Sequence, residues 1–216
     1  MGENPRERRQ SMRITNHDAS SLGRSGQLMF IVPVGILLNL SAAVLVSSLR
    51  LPIYLDAIGT IAVTLLGGLR AGITAGVIGA ILGGVVFNPV MTWFAGTQAA
   101  IAIYTHIVAR RGGLRCMGRM LLVGAGLGVL TGIISAPVLV YIFGGVTGTG
   151  QSIITGYLIA TGKTALKAVV LSGVATEPVD KILQYTLVVW LLRGMPQSLL
   201  QNFRNTALVV NGILRE

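Results

Sequence analysis

No ionisable side chain interrupts residues 28–49, a stretch of 22 residues. As a helix rising 1.5 Å per residue, such a stretch reaches about 33 Å, enough to cross the ~30 Å hydrocarbon layer of a bilayer. It is also longer than the apolar core of a signal peptide. In hydrocarbon every backbone N–H and C=O needs a partner within the protein, and a single segment of this length meets that demand as an α-helix. Further apolar runs follow at 53–69, 71–87, 93–109 and 120–143, separated by Arg50-Leu-Pro52, Gly67-Gly-Leu-Arg70, Asn88-Pro89 and the basic stretch around Arg110 to Arg119. Composition agrees: 52% of residues are hydrophobic and 11% charged, against roughly 25% charged in a soluble globular domain. The fold class expected is an all-α membrane protein of six transmembrane helices.

The layout divides into a basic tail (1–26), a transmembrane domain (27–195) and a C-terminal segment (196–216). In the last, Leu199, Phe203, Ala207, Val210 and Leu214 share one face of an amphipathic interfacial helix. The stretch between helices 5 and 6 holds two apolar pieces, 153–161 and 168–176, each too short to span, so it is expected to cap or re-enter the bundle. Thr176-Glu-Pro-Val-Asp180 has the chemistry of a helix start, with a hydroxyl, a first-turn proline and acids at the positive end of the dipole. It places the start of helix 6 there, with a continuous kinked span from Val169 as the alternative. Pro137 is expected to kink helix 5.

With the N-terminus inside, thirteen basic residues (Arg6, Arg8, Arg9, Arg13, Arg24, Arg70, Arg110, Arg111, Arg115, Arg119, Arg193, Arg204 and Arg215) fall on the cytoplasmic side. Four (Arg50, Lys163, Lys167 and Lys181) fall outside. This positive-inside bias fixes an N-in, C-in topology. It also accounts for the net charge of +10 through anionic lipid headgroups, without nucleic acid.

Catalytic and metal chemistry find little footing. Gly162-Lys-Thr164 ends like a phosphate-binding loop, but Tyr157 stands where that motif needs glycine. Two histidines, His17 and His106, and one cysteine, Cys116, supply no metal-ligand spacing and no disulfide. No Ser/His/Asp arrangement is present, so neither an enzyme nor a cofactor site is expected.

Polar side chains are informative because a charge deep in the bilayer costs on the order of 3 kcal/mol or more. On this topology they gather at the outer end. Tyr54 and Asp56 open helix 2, Asn88 closes helix 3, Trp93 and Gln98 open helix 4, and Tyr141 tops helix 5. Lys163, Glu177, Asp180 and Lys181 surround the last loop and helix 6. Together they form the inventory of an outward-facing pocket. Trp93, Tyr54 and Tyr141 also suit interfacial anchors, and Glu177 with Lys181 also suits an i,i+4 pair.

Leu51-Pro-Ile-Tyr-Leu-Asp-Ala-Ile-Gly-Thr60, the short helices 2 and 3 ending at Phe87-Asn-Pro89, the loop Phe143-Gly-Gly-Val-Thr-Gly-Thr-Gly150 and Glu177-Pro-Val-Asp-Lys181 together resemble the substrate-binding S component of an energy-coupling factor (ECF) transporter. The resemblance implies a multi-pass protein of a prokaryotic cell membrane that captures a vitamin or related micronutrient from outside. It also implies partners: a transmembrane T subunit and two cytoplasmic ATPases. A membrane sensor or input module is the alternative, as is a small secondary carrier, for which the paired inverted repeat is lacking.

On helix 1, Gly35, Asn39, Ala43 and Ser47 recur every four residues and form a ridge of small or polar side chains along which another helix can approach closely. ECF S components dock the T subunit through a small-xxx-small pattern on helix 1, which Ala43-Val-Leu-Val-Ser47 resembles. The ridge is therefore expected to bind the partner, the alternative being internal packing against the chain's own bundle.

Overall fold

The computed structural model describes residues 29–200, 203 and 205. The basic tail (1–26) and most of the expected C-terminal amphipathic helix lie outside the described residues. The described protein is all-helical: α1 (Met29–Ser48), α2 (Ile58–Gly67), α3 (Leu69–Val86), a 3-10 helix (Pro89–Phe94), α4 (Ala95–Arg110), α5 (Met117–Tyr141), α6 (Gly150–Ala160), α7 (Ala165–Arg193) and the short α8 (Gln197–Leu200). Among these, α1, α3 and α5 are long and apolar enough to cross a membrane. The chain is a helical protein built for a bilayer.

Small residues set the packing. Along α5, Gly124, Gly128 and Gly132 face α7, and a β-carbon on Gly128 would lie 2.3 Å from Pro178 Cα. The two backbones therefore meet with no side chain between them, the arrangement that maximises dispersion contact where lipid removes the hydrophobic drive between helices. The same device joins α1 to α2, where a β-carbon on Gly59 would sit 1.8 Å from the Gly35 carbonyl oxygen. Gly68 (φ +89°) breaks the chain sharply between α2 and α3, a turn that any β-carbon would strain. At the end carrying α8, Leu200 is fully buried and Phe203 packs on the main core, while Leu199, on the expected amphipathic face, is half exposed.

Three expectations change. Helix 2 does not begin at Ile53: residues 51–57 are irregular, and α2 starts only at Ile58. At 10 residues it reaches about 15 Å, half a bilayer core. Helix 4 does not start at Trp93, which belongs to the 3-10 helix capped by Asn88. Helix 6 does not begin at Thr176; α7 runs unbroken from Ala165 through Pro178, so the continuous helix is the one observed. Thr176 donates to the Ser172 carbonyl one turn earlier, at 2.8 Å, instead of capping. Gly128, by letting α5 press against Pro178, supplies the tertiary contact that holds the proline inside the helix.

Candidate functional site

Because α2 is short, the space beyond its first turn is not filled by a helix. A cavity of about 320 Å³ opens there. Its walls are α1 from Asn39 to Ser48, the C-terminal half of α3, the 3-10 helix, the start of α4, Leu139 of α5 and the loop reaching Gly150. Leu40, Val44, Ala80, Met91 and Phe94 make most of the lining apolar, and Asn39, Tyr54, Asp56, Asn88, Gln98, Thr147 and Thr149 supply the polar groups. That combination of an apolar wall with a few placed polar atoms is the usual make-up of a small-molecule site.

Beneath the cavity lies a continuous polar network. Asn39 of α1 accepts the backbone N–H groups of Gly59 (2.7 Å) and Thr60 (3.2 Å) and donates to the Thr60 hydroxyl (2.8 Å). Thr60 donates to Gln98 Oε1 (2.8 Å), and Gln98 Nε2 donates to the Asp56 carbonyl and to Asp56 Oδ2, both at 3.2 Å. Asp56 Oδ1 faces Lys181 Nζ at 3.5 Å. Lys181 in turn contacts Asp180 Oδ2 at 2.7 Å and Glu177 Oε2 at 3.4 Å, and Thr131 of α5 donates to Glu177 at 2.9 Å. One chain of contacts thus ties α1, α2, α4, α7 and α5 together. Buried polar groups in such a setting are stable only when paired, and these are.

Asp180 has a second task. Fully buried, it accepts the backbone N–H groups of Tyr54 (3.0 Å) and Leu55 (2.9 Å) through Oδ1, and Lys181 and Gln184 Nε2 (2.8 Å) through Oδ2. It therefore pins segment 51–57, which bounds the cavity, to the middle of α7. Leu55 holds φ +49° and Arg50 φ +51°, left-handed values that cost a non-glycine residue about 1–2 kcal/mol and persist only where surrounding contacts impose them. The Tyr54 hydroxyl donates to Gln151 Oε1 of α6, and burial pushes this phenol above its ordinary pKa, so it stays protonated as the donor. Gln151 Nε2 continues to Ser172 of α7 at 3.2 Å.

Of the residues singled out in the sequence, Tyr54, Asp56, Gln98, Glu177, Asp180 and Lys181 come together. Asn88 reaches the cavity wall, where its Oδ1 accepts the Val90 N–H at 3.0 Å and caps the 3-10 helix. Trp93 and Tyr141 are exposed, at 55% and 80%, and Lys163 is exposed in the turn before α7; none of the three joins the network. Lys181, expected among the outer charges, is buried at 2% exposure.

The helix 1 ridge is divided between two surroundings. A β-carbon on Gly35 would stand 2.3 Å from Val63 Cγ2, Asn39 is bonded to α2, and Ala43 and Ser47 line the cavity. Close approach along its Gly35–Asn39 half is already used by α2, while Ala43 is half-buried and Ser47 exposed. Thr60, Thr131, Gln151 and Gln184 were missed, though Thr60, Thr131 and Gln184 carried the same signal, a polar side chain inside an apolar run. Among the described residues no grouping of side chains is suited to hold a metal ion. Compared with protein-family models, curated proteins and solved structures, the chain matches none.

Proposed function

We propose that this protein is a membrane-embedded small-molecule capture subunit, working in the manner of the S component of an ECF importer. The observation that carries the reading is the cavity. It is formed within a single chain, bounded by segment 51–57 and the 147–150 loop, and floored by a paired polar network. Such a site is preorganised and needs no nucleotide to bind.

The orientation follows from charge. At the end away from the cavity stand Arg70, Arg110, Arg111, Arg115, Arg119 and Arg193, six residues; at the cavity end stand Arg50, Lys163 and Lys167, three. The positive-inside rule then turns the cavity outward. On this reading the six crossings are α1, α2 continued by the irregular segment 51–57, α3, α4, α5 and α7, with α6 a half-helix capping the outer end, and the T subunit and two ATPases supply the coupling. Cys116, the residue preceding α5 and partly exposed, lies on the inner side. As the only cysteine, it should react in intact cells with a membrane-permeant maleimide and resist an impermeant one. Labelling from outside by the impermeant reagent contradicts the topology.

For the capture function, the full chain purified alone in lipid nanodiscs should retain a small molecule detectable by native mass spectrometry. Ala43→Trp, which fills the cavity from α1, should lose it with little change in melting temperature. Copurification of two ATPases and a membrane subunit from the native host should accompany it. A wild-type chain that retains nothing, or an Ala43→Trp chain that retains the same molecule, contradicts the proposal.

A further inference from the structure

Resting on the capture reading above, we infer that the molecule held in this cavity is a small organic cation whose positive group sits against Asp56. Three observations lead there. Tyr54 apart, Asp56 is the one ionisable residue in the cavity wall; no Lys or Arg lines it, and Arg50, Lys163 and Lys167 at this end are exposed. Asp56 is also the accessible member of its cluster, its side chain 27% exposed against 3% for Lys181, 8% for Glu177 and 0% for Asp180.

The charges of that cluster do not cancel. Three carboxylates share one ammonium, a formal sum of −2, and protonating Glu177 reduces this only to −1. Lys181 is drawn to Asp180 at 2.7 Å and leaves Asp56 at 3.5 Å. The surplus negative charge therefore falls on the carboxylate that faces the cavity. In a site walled by apolar side chains it acts through a low dielectric, where it favours a cation and repels an anion more strongly than in water. Phe87, Phe94 and Tyr54 in the wall are aromatic residues of the kind that attracts a cation, and the surrounding aliphatic groups suit an apolar or heteroaromatic body.

Three probes of similar size isolate the charge: benzyltrimethylammonium, N,N-dimethylbenzamide and phenylacetate, titrated calorimetrically into the full chain in zwitterionic nanodiscs with empty nanodiscs subtracted. The cation is expected to bind at least tenfold more tightly than the anion. Asp56→Asn should weaken the cation about tenfold and leave the amide unchanged, while Asp56→Glu should retain the preference. Ala43→Trp should abolish binding of every probe, placing it in the cavity. A preference for phenylacetate, a cation affinity unaltered in Asp56→Asn, or failure of all three probes to bind a folded chain overturns the charge assignment. The capture reading is judged apart from this, by the molecule retained on purification: a neutral or anionic one, lost in Ala43→Trp, refutes the cation and keeps the capture.

Discussion

Lys181→Met should be the most damaging single change to the polar network, lowering stability by about 3–5 kcal/mol, the cost of leaving a buried charge without its partner. The side chain is 3% exposed and faces three carboxylates, two of them almost fully buried. Methionine fills much the same volume, so the loss is electrostatic and not a cavity effect. Asp56→Asn should cost far less, below about 1 kcal/mol, because its carboxylate reaches the cavity and meets Lys181 only at 3.5 Å. Adding Glu177→Gln to Lys181→Met should recover about 1–2 kcal/mol, since it removes one of the stranded charges while leaving a group to accept from Thr131. Thermal unfolding in detergent or steric trapping in bicelles measures all three. A Lys181→Met protein as stable as the wild type would mean that the cluster is not closed around the lysine.

The sequence made the helical spans legible because hydrocarbon imposes a rule that leaves little choice: a long uncharged run must satisfy its own backbone. Residues 28–49 predict α1 to within a residue at either end, and 71–87 predicts α3 nearly as closely. The polar positions were legible for a related reason. Asp56, Gln98, Asp180 and Lys181 are expensive in an apolar run, so each announces a partner, and the partners turn out to be one another.

What failed were positions where tertiary packing overrides a local signal. Thr176-Glu-Pro-Val-Asp180 has every feature of a helix N-terminus, yet it is helix interior. The deciding residue is Gly128, fifty positions away, whose missing side chain lets α5 seat against Pro178. Segment 51–57 failed likewise. Its residues favour helix well enough, but Asp180 captures the N–H groups of Tyr54 and Leu55, and a backbone donor held by a side chain is lost to the helix. The cavity is a consequence of that delayed start, so it could not be read from α2 alone.

The ridge on α1 gives the second large effect, because its small residues were visible in the sequence while their partner was not. Gly35→Leu should prevent stable folding or cost more than about 3 kcal/mol, beyond the usual range for overpacking. A β-carbon there already lies 2.3 Å from Val63 Cγ2 and 3.2 Å from the Gly59 carbonyl oxygen, so relief requires α1 to move away from α2. That movement is resisted one turn along, where Asn39 grips Gly59 and Thr60 through three hydrogen bonds. Separating the helices would strand those buried groups as well, so the two costs add. Gly59→Ala should behave similarly from the other side, its β-carbon being 1.8 Å from the Gly35 carbonyl oxygen. Leu37→Ala and Leu45→Ala, on the face of α1 where these leucines are 62% and 61% exposed, should leave the isolated chain's melting temperature nearly unchanged. If a partner helix docks on α1, this face is open to it, and the two substitutions should weaken copurification without touching ligand retention. A Gly35→Leu protein that melts like the wild type and keeps its retained molecule would show that α1 is free of α2, and would return the ridge to the role of a docking surface.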